Sequence, residues 1–162
     1  MFDIIGNCLG NEEVLPSNVV RHGVVSLERK SELLNSADIA VNPMMSGSGS
    51  SLKVLDFLSH GVPLLTTEIG VRGFDFSPQL DILMYRAEEF SSVLEQYSSD
   101  STSLNAMATR AFDKAVEKYS WSAVSRNFNQ ILESLFDDSS FCNESTDFVL
   151  CLNDYDPFST VG

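Results

Sequence analysis

The stretch from Asn42 to Pro63, NPMMSGSGSSLKVLDFLSHGVP, gathers Gly47, Gly49 and four serines (Ser46, Ser48, Ser50, Ser51) ahead of a segment carrying Lys53 and Asp56. Glycine admits positive φ and leaves room for a ligand against the main chain. A helix starting near Ser51 would turn free N–H groups and the positive end of its dipole toward an anion. Lys53 falls in its first turn, where a cation is unfavourable by about 0.3–1 kcal/mol unless an anion neutralises both. A phosphate or a nucleoside diphosphate is the chemistry this combination favours. Asp56 shares the face of Lys53 at i+3, with His60 beyond it, and a carboxylate there suits the vicinal diol of a ribose.

A bland reading uses the same residues: an ordinary Ser/Gly turn before a helix, with Lys53 and Asp56 as a surface pair. The glycines lack the spacing of a Walker loop and do not follow the first strand as a dinucleotide fingerprint would. Arg72, between Gly70 and Gly73, either reaches a phosphate or sugar or stays a solvated loop residue. His22 and His60 are the only histidines. His22 reads as structural, and His60 as a residue suited to the end of a helix. No spacing of Cys or His suggests a metal site, and no cofactor is expected.

Elements that would position these residues alternate along the chain. Strands are expected at Phe2–Gly6, Asn18–Gly23, Asp38–Asn42, Pro63–Thr67 and Asp81–Tyr85. A helix capped by Ser26 covers LERKSELLNSA, and a second runs from about Ser51 to His60 with Gly61 ending it. Its core face would be Leu52, Leu55, Leu58 and Val54. Further helices are expected over Ala87–Tyr97, Leu104–Tyr119 and, capped by Ser120, Trp121–Phe136, with Trp121 as a core anchor. Glu88 and Glu89 read as dipole partners at a helix start, not as an acid/base pair. This alternation implies an α/β fold, a Rossmann-like parallel sheet of about five strands flanked by helices. Ligands then bind at the carboxyl ends of the strands, where the loop after Asn42 sits.

Composition limits the function classes. The 162 residues suffice for one domain with a proper core. A formal net charge of −13 disfavours nucleic acid, since no basic patch offsets it. Residues 137–162 hold six acids and no Lys or Arg, so a boundary is expected near Asp137, with a donor-binding domain over 1–136 and an acidic, disordered or partner-binding tail beyond. No apolar run approaches the roughly 18 residues of a membrane helix, and no signal peptide is read. Three well-separated cysteines (Cys8, Cys142, Cys151) suit reduced thiols and a cytoplasmic setting.

The ordered segments resemble the donor-binding domain of GT-B fold retaining glycosyltransferases of the group 1 type. The resemblance rests on LPSNVVRHGVVS (15–26), ELLNSADIAVNP (32–43), SGSSLKVLDFLSHGVPLLTT (48–67), EIGVRGF and EKYSWSAVSRNF, and it covers roughly residues 1–136. It implies transfer of a sugar, with retention, from a nucleotide diphosphate sugar. Asp56 falls where the family's second glutamate holds the ribose. Gly47, Gly49 and the backbone of Ser50, Ser51 and Leu52 match the turn that passes close to the donor. Ser48 stands where a first glutamate grips sugar hydroxyls, and Lys53 replaces a frequent proline. The family also carries an acceptor domain, and its donor domain opens with a strand and helix bearing a basic phosphate ligand; Met1 begins at what looks like the second strand. The expectation is an N-terminally truncated donor half with little or no activity alone, completed by a separate acceptor-binding domain or chain. The rivals are a non-catalytic nucleotide-binding module or split-enzyme subunit, and a plain α/β interaction domain.

Overall fold

The computed structural model describes residues 1–7 and 14–137. The acidic tail beyond Asp137 and all three cysteines lie outside the described residues. Among the described residues five strands and five helices form in order: β1 (Phe2–Ile5), β2 (Val19–Gly23), α1 (Leu27–Asn35), β3 (Ala40–Asn42), α2 (Lys53–Ser59), β4 (Leu64–Thr66), β5 (Leu83–Met84), α3 (Phe90–Ser98), α4 (Ser101–Tyr119) and α5 (Trp121–Asp137). A single 3-10 turn, Ala87–Glu89, leads into α3.

Every strand pairing is parallel, as the alternation of strands and helices requires. The expected five-strand sheet is divided, however. β1 pairs with β2, while β3, β4 and β5 form a separate sheet in that order. The pattern of each strand was visible locally, but whether β1 meets β3 depends on contacts between distant segments.

The core lies around β4, whose three residues are all buried, as expected of a strand covered on both faces. On one side Leu64 and Ile82 pack with Val54, Leu55 and Leu58 of α2 and Ala111 and Ala115 of α4. On the other, Leu65, Leu83 and Tyr85 pack with Leu104 and Met107, and α3 adds Val93 and Leu94. Small residues at 111 and 115, one turn apart, let α4 lie close to α2. A smaller cluster of Leu34, Ala40 and Val62 seats α1.

Caps follow the sequence with shifts of a few residues. Ser26 Oγ accepts from the Arg29 N–H at 3.2 Å. Asp100 caps α4 through the Ser103 N–H at 3.1 Å, so that helix starts three residues earlier than its apolar pattern suggests. Glu89 accepts from the Arg86 N–H, a capping role consistent with the dipole reading. Ser120 caps α5 through the Ala123 N–H, but Trp121 is 36% exposed where a buried core residue was expected. Among the described residues no helix is long and apolar enough to cross a membrane.

The loop from Glu68 to Leu80 is tied to α4 by charge. Lys118 pairs with Asp75, and Lys114 Nζ lies 2.9 Å from Asp81 Oδ2. Arg110 donates twice to the Leu80 carbonyl. Burial opposes ionisation of Asp81, but the Ser77 N–H, Lys114 and Arg110 outweigh it and hold its pKa below the ordinary carboxylate value. The contribution of a carboxylate lowered in this way is complete above the unfolded pKa of about 3.9 and is lost as pH falls through the folded value. Asp81→Asn is therefore expected to cost about 1–3 kcal/mol in urea unfolding at pH 7. The gap from the parent protein should stay level between about pH 8 and 5 and narrow below about pH 4.

Candidate functional site

The carboxyl end of β3 is fixed by Asn42, which is 2% exposed. Its carbonyl accepts from Thr66 Oγ1 on β4 at 3.2 Å. Its Nδ2 donates to the Gly70 carbonyl at 3.0 Å and to Ser51 Oγ at 3.3 Å. One buried amide thus joins the strand end, the loop after β4 and the small-residue loop. Thr67 extends the network, donating from Oγ1 to the Met44 carbonyl and accepting there from the Gly70 N–H at 3.0 Å.

Glycine is required in this network for room as well as for dihedral angles. A Cβ on Gly70 would lie 2.4 Å from Thr66 Oγ1 and 3.0 Å from Asn42 Nδ2. Gly47 and Gly49 adopt φ of 144° and 74°. Gly73, at φ 88°, passes so close to Ser50 that a Cβ would lie 2.3 Å from its Oγ. The loop 46–51 therefore rests on the loop 67–73, with Gly47, Ser48, Gly49 and Ser50 all exposed and the Ser50 hydroxyl turned toward Gly73.

Arg72 has a specific place. Its Nη2 donates to the carbonyls of Gly47 and Gly49, at 3.1 and 2.9 Å. The guanidinium clamps the loop backbone, a role that neither of the two sequence readings anticipated. The long separation between the two loops hid it, and the Gly-x-x-Gly pattern of residues 70–73 was the only local sign of close backbone approach.

Helix α2 begins at Lys53, two residues later than expected, and runs for seven residues. Leu52 sits at its N-cap in helical conformation with no side-chain cap, and it is 69% exposed instead of facing the core. Val54, Leu55 and Leu58 supply the buried face. Lys53 is exposed and no ion pair holds it among the described residues. Asp56 does not pair with Lys53. Its Oδ2 lies 2.7 Å from Lys30 Nζ on α1, with both side chains mostly shielded from water.

His60 closes the same helix pair. Its Nδ1 is 2.8 Å from the Asp56 carbonyl, which can only accept, so the proton resides on Nδ1. Nε2 then accepts from the Ser31 hydroxyl at 3.1 Å when the ring is neutral. Lys30 and Ser31 are the residues that sequence reasoning missed: α1 carries both partners of the α2 polar face. The i, i+3 rule described which residues share a helix face, but a neighbouring helix supplied the ion pair. His22 is structural, with Nε2 2.6 Å from Asp3 Oδ1 across the β1–β2 pair.

A family described as Glycosyl transferase-like matches residues 1–130. The chain belongs to that family. No curated protein matches this glycosyl transferase-like chain in sequence. Among solved structures, the sucrose-phosphate synthase of Thermosynechococcus elongatus superposes with a TM-score of 0.61 at 17% identity, over 75% of this chain and 31% of that one. Anabaena HepE, solved in complex with UDP, superposes with a TM-score of 0.60 at 15% identity, over 74% of this chain and 32% of that one. The likeness establishes a fold of parallel strands flanked by helices as in GT-B glycosyltransferases. The glycosyl transferase-like chain spans about a third of the length of the structures it matches.

The polar network makes a direct prediction for stability. Gly70→Ala forces a Cβ into Thr66 and Asn42, and overpacking of this kind costs about 1–3 kcal/mol. Urea unfolding should show that loss, whereas Gly61→Ala, in open space though at positive φ, should cost less.

Proposed function

We propose that residues 46–56 form the nucleotide-sugar donor site of a retaining glycosyltransferase, of which these residues are the donor-binding half. One observation carries the reading: the exposed backbone of Gly47–Ser50 is held out at the carboxyl end of β3 by Arg72 and Asn42, beside the uncommitted ammonium of Lys53. Carboxyl ends of strands, where the loops lead into helices, are where doubly wound sheets bind their ligands. The UDP complex of the structural neighbour HepE supports a nucleoside diphosphate as the ligand class.

Each residue has a role in this reading. Gly47, Ser48, Gly49, Ser50, Ser51 and Leu52 line the approach of the diphosphate with main-chain groups and hydroxyls. Lys53 balances its charge, and Asp56, oriented by Lys30, accepts from the ribose hydroxyls. Arg72 acts on the donor through the loop it clamps. Catalysis would consist of stabilising the departing diphosphate with N–H groups and cations, which is electrostatic work without a covalent protein intermediate. Binding of the acceptor falls to a separate domain or chain, so residues 1–162 by themselves bind donor without transferring sugar.

Calorimetric titration with UDP, GDP and ADP tests this. One of the three nucleotides should bind, and Lys53→Ala should weaken it about tenfold, which corresponds to about 1.4 kcal/mol. Asp56→Asn should weaken it as well while preserving side-chain volume. Absence of binding at millimolar nucleotide, or affinity indifferent to both substitutions, would sink the proposal.

A further inference from the structure

We infer that Tyr119, the last residue of α4, is a positioning residue for the small-residue loop, acting through a turn that presents Arg72. Its bearing on donor binding rests on the function proposed above, whereas its hold on the loop does not. The turn is Val71–Phe74, closed by the Phe74 N–H donating to the Val71 carbonyl at 3.1 Å. Gly73 follows Arg72 at φ 88°, as the third position of a type II turn requires. Arg72 and Gly73 form the tip, and both meet the loop. Arg72 Nη2 donates to the Gly47 and Gly49 carbonyls, and the Gly73 main chain lies against Ser50. The position of this tip therefore decides where the loop backbone is held.

A tip is placed by the two ends of its turn. At one end Val71 is buried in the core with Leu64 and Ile82, directly after Gly70, whose carbonyl Asn42 holds. At the other end Phe74 is only partly buried, and Tyr119 braces it. The two rings meet edge to face, with centroids 5.2 Å apart and planes at 87°, a geometry that aromatic pairs prefer. Phe76 packs on the same tyrosine ring at 5.7 Å. Between them, the Asp75 N–H donates to the Tyr119 hydroxyl at 2.6 Å. Residues 74, 75 and 76 thus converge on one side chain.

Tyr119 is itself well placed for this. Ala111, Ala115 and Tyr119 recur every fourth residue along one face of α4, so packing of the alanines into the core carries the tyrosine to the turn. Lys118 also pairs with Asp75, but both side chains are substantially exposed and such pairs contribute little. Asp75 and Tyr119 lie 44 residues apart, so the brace exists only in the folded chain.

Backbone relaxation measured by NMR on the full chain tests this without nucleotide. In the parent, the amides of Gly49, Ser50 and Arg72 should show order parameters of about 0.85, the value of rigid backbone. Tyr119→Leu removes ring and hydroxyl and should bring them below about 0.6, whereas Tyr119→Phe, which keeps the ring, should hold them above it. Phe90→Leu is the control. It removes an aromatic contact with Tyr85 on the other side of the core and should leave the three amides at the parent value. Should Tyr119→Leu not fold, Phe74→Leu breaks the same contact from the loop side. Nucleotide titration adds a second readout: Tyr119→Leu should weaken binding about threefold, with no further loss in an Arg72→Ala background, because the two residues act as one unit. Disorder of Gly49 and Ser50 in the parent, unchanged order in Tyr119→Leu, an equal fall in Phe90→Leu, or additive losses of affinity would each overturn the inference. A parent that binds no nucleotide counts against the donor site alone, since the relaxation experiment needs none.

Discussion

The arrangement around the candidate site depends on one buried amide. Asn42 is nearly shut off from solvent, and its polar atoms are met by Thr66, Gly70 and Ser51. A buried polar side chain is tolerable only when its hydrogen bonds are made, and leaving one unmade costs about 1–3 kcal/mol. That constraint makes the end of β3, the loop after β4 and the small-residue loop mutually dependent. Shift any of them and Asn42 loses a partner. Gly70 is glycine because the amide and Thr66 occupy the space of a Cβ, and Arg72 follows two residues later at the right distance to hold Gly47 and Gly49.

A consequence is that the small-residue loop is preformed without a ligand. Loops of this composition lose much backbone entropy on ordering, because glycine has the most freedom to lose. Here the ordering is supplied by Arg72 and Ser51 within the folded chain, so a ligand approaching the outward backbone would not bear that cost again. The same logic applies to Asp56. Lys30 and the His60–Ser31 bond lock α1 to α2, which fixes the carboxylate in place before anything binds.

Much of the fold was legible because it is written in local pattern. Helix caps at Ser26 and Ser120, the terminating Gly61 and the apolar strands each sit within a few residues of the chemistry that specifies them. Boundaries slipped where packing and capping competed: α4 begins at the Asp100 cap, ahead of the first apolar contact at Leu104. The α2 polar face was legible only in part. Spacing placed Lys53 and Asp56 on one helix, but the partner chosen by Asp56 came from α1, 26 residues earlier in the chain. Arg72 was visible as a loop cation, and its carbonyl acceptors, more than 20 residues away, were not.

The division of the sheet belongs to a different class of information. A strand's own residues report how well its two faces are buried, through alternation and apolar content, but they say little about which neighbour lies along each edge. β1 and β3 have β-rich sequences whether or not a strand lies between them. The amides of Phe2, Gly6 and Ala40 show which edge of each strand is paired, and only once β2 and β4 are placed. The candidate site follows β3, at the carboxyl end of the outer strand of the β3–β4–β5 sheet, where loops of parallel sheets meet their ligands.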